Sequence, residues 1–103
     1  MPKTLTLVAS FQAKPGREDQ LRDELNAMIE PSLAEDACLA YRPLLDPGRP
    51  GAMVCLEEWT DEAGLQYHFT TPHFKRISAA LDDILVEPFG LRRLTDVADA
   101  PGR

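Results

Sequence analysis

Residues 38–59 read CLAYRPLLDPGRPGAMVCLEEW. Two runs rich in aliphatic and aromatic residues, CLAYRPLL (38–45) and AMVCLEEW (52–59), flank DPGRPG (46–51), which is dense in turn formers. The stretch reads as a β-hairpin. Pro43 has no N–H to give a ladder, so its strand belongs at a sheet edge or at a bulge. With the turn centred near Gly48 and Arg49, Cys38 falls opposite Trp59 and Cys55 opposite Arg42. The two thiols then lie about 13 Å apart along the ladder, too far for a disulfide.

The flanking sequence supplies helices on both sides of this hairpin. Residues 3–13 alternate, with Leu5, Leu7, Ala9, Phe11 and Ala13 on one face and Thr4, Thr6, Val8, Ser10 and Gln12 on the other, as in a half-buried strand. Pro15-Gly16 stops it. Leu21, Leu25, Met28, Ile29 and Leu33 then recur at helical spacing, and Glu18 and Asp19 suit the positive end of the helix dipole. Pro31 predicts a kink or an early stop. After the hairpin, Thr60 or Asp61 can cap a short helix over DEAGLQYHF (61–69). Thr71 and Pro72 start a longer one, with an apolar stripe of Phe74, Ile77, Leu81 and Ile84. Pro88 ends it, and FGLRRLT (89–95) reads as a fourth strand.

The order is β-α-β-β-α-β with one extra short helix. It predicts an α+β, ferredoxin-like (split βαβ) fold, an antiparallel sheet with helices on one face. Residues 1–96 read as a single domain and 97–103 as a flexible C-terminal tail. The other face of the sheet is left open on a chain too short to cover it, so a homodimer is expected.

Composition narrows the function classes. The 103 residues are 44% hydrophobic, with 11 Lys and Arg against 17 Asp and Glu, a net charge of −6. Without a basic run, neither nucleic acid nor an anionic membrane is an expected partner. No apolar segment reaches the roughly 18 residues needed to span a bilayer. The opening MPKTLTLVASFQAKPG reads as a strand and not a signal peptide, which makes a cytoplasmic location the default. Two histidines, two cysteines and no CxxC form a thin ligand set, so no metal is expected.

The candidate chemistry centres on HFTTPHF (68–74). His68 and His73 can each take a proton from a phenol or enol near neutral pH. His73 sits at the second position of its helix, where the dipole favours the neutral ring. Separated by a helix break, the two are not an i,i+4 metal pair. Glu57 shares a strand face with Trp59; an inward carboxylate is either paired or an acid, base or substrate anchor. Trp59 and Phe74 offer flat apolar walls, and Tyr41 and Tyr67 offer hydroxyl donors. Packing alone also accounts for each of these residues.

Four pieces together resemble one family. They are KPG (14–16) after the first strand, EDACLAY (35–41), LEEWTDEAGLQYHFTTPHF (56–74) and the final apolar strand. The third is the most specific, and the chain resembles the antibiotic biosynthesis monooxygenase domain from about Leu5 to Thr95. It departs at Ala37, where that family usually has glycine. The resemblance implies a dimeric α-β barrel-type assembly, with a pocket in each subunit between sheet and helices. It also implies a cofactor-independent monooxygenase, acting on a small phenolic or quinol substrate with molecular oxygen. The absence of a dinucleotide fingerprint, P-loop or haem-attachment motif agrees with that. In this reading His73 or His68 is the base, Glu57 or a tyrosine (Tyr41 or Tyr67) orients the substrate, and Trp59 and Phe74 pack against it. One alternative is a non-catalytic dimeric small-molecule-binding or stress-related protein. A haem-degrading oxygenase is disfavoured, because such members carry an Asn where this chain has Ala9.

Overall fold

The computed structural model describes residues 3–99. Its strands β1 (Leu5–Gln12), β2 (Cys38–Leu45), β3 (Ala52–Trp59) and β4 (Gly90–Leu94) form one antiparallel sheet in the order β2-β3-β1-β4. Helices α1 (Glu18–Leu33) and α3 (Pro72–Ile84) pack on each other and on one face of the sheet. The short α2 (Glu62–His68) follows β3 directly. This is the ferredoxin-like arrangement the hairpin predicts.

Alternation along the strands decides which face is buried. Leu7, Ala9 and Phe11 of β1 and Met53, Cys55, Glu57 and Trp59 of β3 all point toward the helices and are buried. Leu21, Leu25 and Met28 of α1 and Ile77, Leu81 and Ile84 of α3 close over them. The opposite face carries Thr6, Val8, Val54, Leu56 and Glu58, none of them buried.

Three details depart from expectation. Cys38 does pair with Trp59, but Cys55 faces Pro43 and not Arg42. A bulge between Cys38 and Ala40 inserts one residue into β2 and shifts the register beyond it. Both cysteines are free and buried. Pro31 does not end α1, which continues to Leu33. Only one backbone bond is forgone there, and the last turn survives it. Val97–Asp99 form a 3-10 turn, and Lys3 reaches Asp99 at 3.8 Å; the rest of the expected tail, 100–103, lies outside the described residues.

The segment between β3 and α3 is set by its caps. Asp61 Oδ1 accepts the Gly64 N–H at 2.8 Å and starts α2. Thr71 Oγ1 accepts the Phe74 N–H at 3.2 Å and donates to the His68 carbonyl at 2.7 Å, joining the end of α2 to the start of α3. Gly64 lies against Ala37 so closely that a Cβ at position 64 would collide with the Ala37 methyl. That contact seats α2 on the turn leading into β2, where Thr60 N–H also bonds the Ala37 carbonyl at 2.8 Å.

Candidate functional site

A cavity of about 30 Å³ lies between the inner sheet face and the helices. Its wall includes Ala9, Tyr41, Glu57, His68, Phe74 and Phe89. The aromatic rings form a near-continuous lining: His68 to Phe74 is 5.3 Å between centroids, Phe74 to Phe69 4.9 Å and Phe11 to Phe89 5.6 Å. A roomier depression of about 570 Å³ elsewhere on the sheet is lined by Ser10, Gln12, Leu44 and Val54 among others and contains no imidazole.

His68 is the last residue of α2 and is 2% exposed. Its ring lies 4.6 Å from the Trp59 ring, and its Nδ1 is 2.6 Å from Glu35 Oε2. An ionised carboxylate only accepts, so Nδ1 carries the hydrogen and Nε2 is left with a lone pair. Among the described residues, Nε2 has no hydrogen-bond partner. Burial pushes the His68 imidazole below its ordinary range and outweighs the opposing effect of Glu35. The ring is therefore a neutral imidazole anchored in the cavity wall.

Glu57 is 6% exposed and accepts the Trp59 indole N–H at 3.0 Å. Burial raises its carboxyl to about 7, against the lowering effect of the Trp59 hydrogen bond. Tyr41 stands opposite Glu57 in the β2–β3 ladder. Burial pushes its phenol well above the usual range, so the hydroxyl keeps its hydrogen and remains a donor.

The two remaining polar candidates sit elsewhere. His73 is outside the cavity wall and lines an open groove with Glu35, Pro31, Ala37 and Tyr67. Its Nε2 is 2.7 Å from the same Glu35 Oε2 that holds His68. Tyr67, expected to contact substrate, is 64% exposed in this outer groove; one residue before His68, it points to the other side of α2. Trp59 is fully buried behind His68 and is not part of the cavity lining; it packs against the His68 ring.

Glu35 is the residue that sequence reasoning missed. It belongs to the turn between α1 and β2, and nothing in its spacing links it to residues more than thirty positions away. The EDACLAY motif contained it, but only as a mark of resemblance. Glu35, His68 and His73 are also the one set among the described residues whose donor atoms could converge on a cation. The contacts of 2.6 and 2.7 Å are hydrogen-bond lengths. Neighbouring donors around a tetrahedral zinc ion lie about 3.3 Å apart, so the trio fits shared protons better than a metal.

Residues 4–80 match the family model described as antibiotic biosynthesis monooxygenase. The chain belongs to this family. Its fold and the Glu57-Trp59-His68 core therefore sit within an antibiotic biosynthesis monooxygenase domain. The chain is similar to a solved structure of PA3566 from Pseudomonas aeruginosa, at 34% identity and a TM-score of 0.88, covering 94% of this chain and 97% of that one. It is also similar to Rv0793 from Mycobacterium tuberculosis, at 28% identity and a TM-score of 0.86, covering 94% and 98%. A curated relative in Escherichia coli bears the name "Probable quinol monooxygenase YgiN"; it is 28% identical and covers 81% of this domain and 89% of its own length. No helix among the described residues of this monooxygenase-family chain is long and apolar enough to cross a membrane.

Proposed function

We propose that this chain is a cofactor-independent monooxygenase of a small phenol or hydroquinone, with His68 as the base. The observation that carries the reading is His68 itself. It is a buried neutral imidazole in the wall of an apolar cavity, held through Nδ1 by Glu35 so that the Nε2 lone pair is free. Such a group takes a phenolic proton and leaves an electron-rich anion in a dry site. The anion supplies the electrons for oxygen: one oxygen atom becomes a quinone carbonyl and the other leaves as water. Tyr41 and a protonated Glu57 line the same cavity and can donate hydrogen bonds to the developing oxyanion. The quinol relative in Escherichia coli agrees with this substrate class. Ala9, in the cavity wall, brings no amide where haem-degrading members carry one, which weighs against that activity.

The cavity of about 30 Å³ is much smaller than the ~150 Å³ that accommodates benzene. Substrate entry therefore requires the aromatic lining to move, and Phe69, Phe74 and Phe89 are its half-buried rings. On the outer face of the sheet, Val8, Val54, Leu56, Leu44 and Leu94 lie beside Arg42, Arg92 and Glu58, and a second copy of the chain covers this face in our reading. A monomer at micromolar concentration in sedimentation equilibrium would count against the dimer.

The functional test is oxygen uptake with a panel of hydroquinones and polycyclic phenols. Turnover by the native protein, lowered roughly 10²-fold or more by His68→Gln, is the expected result. Tight binding of a phenol without oxygen uptake would replace the enzyme with a binding protein.

A further inference from the structure

His68 lies inside the fold, while His73, the second histidine on its Glu35 anchor, reaches the surface. His68 lines the cavity, and His73 lines the outer groove with a side chain 21% exposed. Between them stands Glu35, 8% exposed, whose single oxygen Oε2 is 2.6 Å from His68 Nδ1 and 2.7 Å from His73 Nε2. These are lengths at which a proton transfers along a chain of charge-assisted hydrogen bonds. Glu35 Oε1 is buried without a partner among the described residues, so both bonds converge on one atom. A buried histidine whose only task was packing would need one acceptor and no second ring beyond it.

We infer that His68, Glu35 and His73 form a reversible proton relay between the inner cavity and the outer groove. The inference rests on the proposed function only for the identity of the proton donor in the cavity. At rest both rings donate to Glu35 Oε2, so His73 must first move its hydrogen from Nε2 to Nδ1 through groove water. When Nε2 of His68 then receives a proton from a substrate hydroxyl, the Nδ1 hydrogen of His68 moves to Glu35 Oε2 and onward to the freed His73 Nε2. His73 then releases its Nδ1 hydrogen to water in the groove. Charge thereby leaves a cavity too dry to hold an imidazolium. Conversion of a phenol and O2 to a quinone and water releases no net proton. The relay must therefore also run inward, returning a proton to the oxygen that departs as water. In this scheme Glu35 and His73 are positioning and relay residues and do not touch substrate.

The test needs no substrate. In nitrogen-labelled native protein, NMR saturation transfer measures exchange of the His68 Nδ1 hydrogen with water. His73→Gln, which keeps a polar side chain but takes up no proton, should slow that exchange about tenfold or more. Imidazole added to the buffer should restore it, and backbone amide exchange around Leu65 and Phe74 should stay unchanged. His73→Phe, which seals the groove side, should act in the same direction. An unchanged or faster rate in His73→Gln overturns the relay. So does a native rate equal to that of the neighbouring backbone amides, which would mean that exchange occurs by local opening. Absence of oxygenase turnover would overturn the proposed function and leave this result standing.

Discussion

The inner cavity and the outer groove share one carboxylate and differ in almost everything else. Inside, Trp59, Glu57, Tyr41 and His68 are buried, and burial shifts the ionisation of three of them. Outside, Tyr67 is mostly in solvent and His73 is partly so. The same residue types therefore meet different surroundings on the two sides of Glu35. Where the fold removes water from a tyrosine or histidine, as at Tyr41 and His68, its ionisation is shifted. HFTTPHF places one histidine in each region, and the Thr71–Pro72 break between the helices separates them.

The largest effect should come from the inner side. Trp59→Ala removes a fully buried ring, the support of His68 and the donor to Glu57. It should destabilise the fold by about 3–5 kcal/mol in denaturant melts. A loss under about 1 kcal/mol would mean that the inner wall collapses easily and is not the rigid side.

Glu57 and His68 give the contrast a pH signature. The folded state holds the Glu57 carboxyl at about 7, above the ordinary 4.5, so it binds that proton more tightly than the unfolded chain does. The contribution of Glu57 to stability is full below pH 4.5 and is lost as pH rises toward 7. His68 is lowered below 6.5, so its contribution is full above that pH and is lost as pH falls. The two slopes oppose each other. Glu57→Gln should add about 3 kcal/mol at pH 8 and little at pH 4, and should expose the acid-side loss due to His68. His68→Gln should leave the reverse slope. Stability–pH curves from urea melts check both, and parallel curves for all three proteins would show that neither group is tuned by burial.

Much of this is legible in the sequence alone. Strand alternation, the caps at Asp61 and Thr71, and the hairpin over 38–59 are local rules, each written within a few residues. The register slip at Cys55 was not legible, because a bulge depends on how β2 meets its neighbour and not on its own pattern. Helical spacing did not place Tyr67 in the outer groove, since only the packed surface shows which side of α2 is wet. Glu35 was invisible as a site residue because its partners come from α2 and α3, and no short-range periodicity links them.

Smaller effects bound the comparison. Thr71→Ala removes the cap that holds the two regions apart and should lower stability by about 1 kcal/mol; a thermal melt without a shift would show that Pro72 alone defines the start of α3. Tyr67→Ala lies wholly in the outer groove and should change stability by less than about 0.5 kcal/mol. A larger loss would mean that the groove is covered in solution.

The close seating of Gly64 on Ala37 has a consequence for how sequences of this kind can change. Glycine within a helix is ordinarily about 0.5–1 kcal/mol worse than alanine, so Gly64→Ala looks like an improvement on paper. Here the new methyl would strike the Ala37 side chain, and the gain becomes a loss. With glycine at position 37 that collision is removed, and the remaining neighbours of the new methyl are Asp61 Oδ1 at 3.3 Å and Thr60 Oγ1 at 3.5 Å. The two sites are thus coupled: the cost of Gly64→Ala depends on the side chain at position 37. Transplanting single residues from relatives into this domain will mislead wherever such a pair is split.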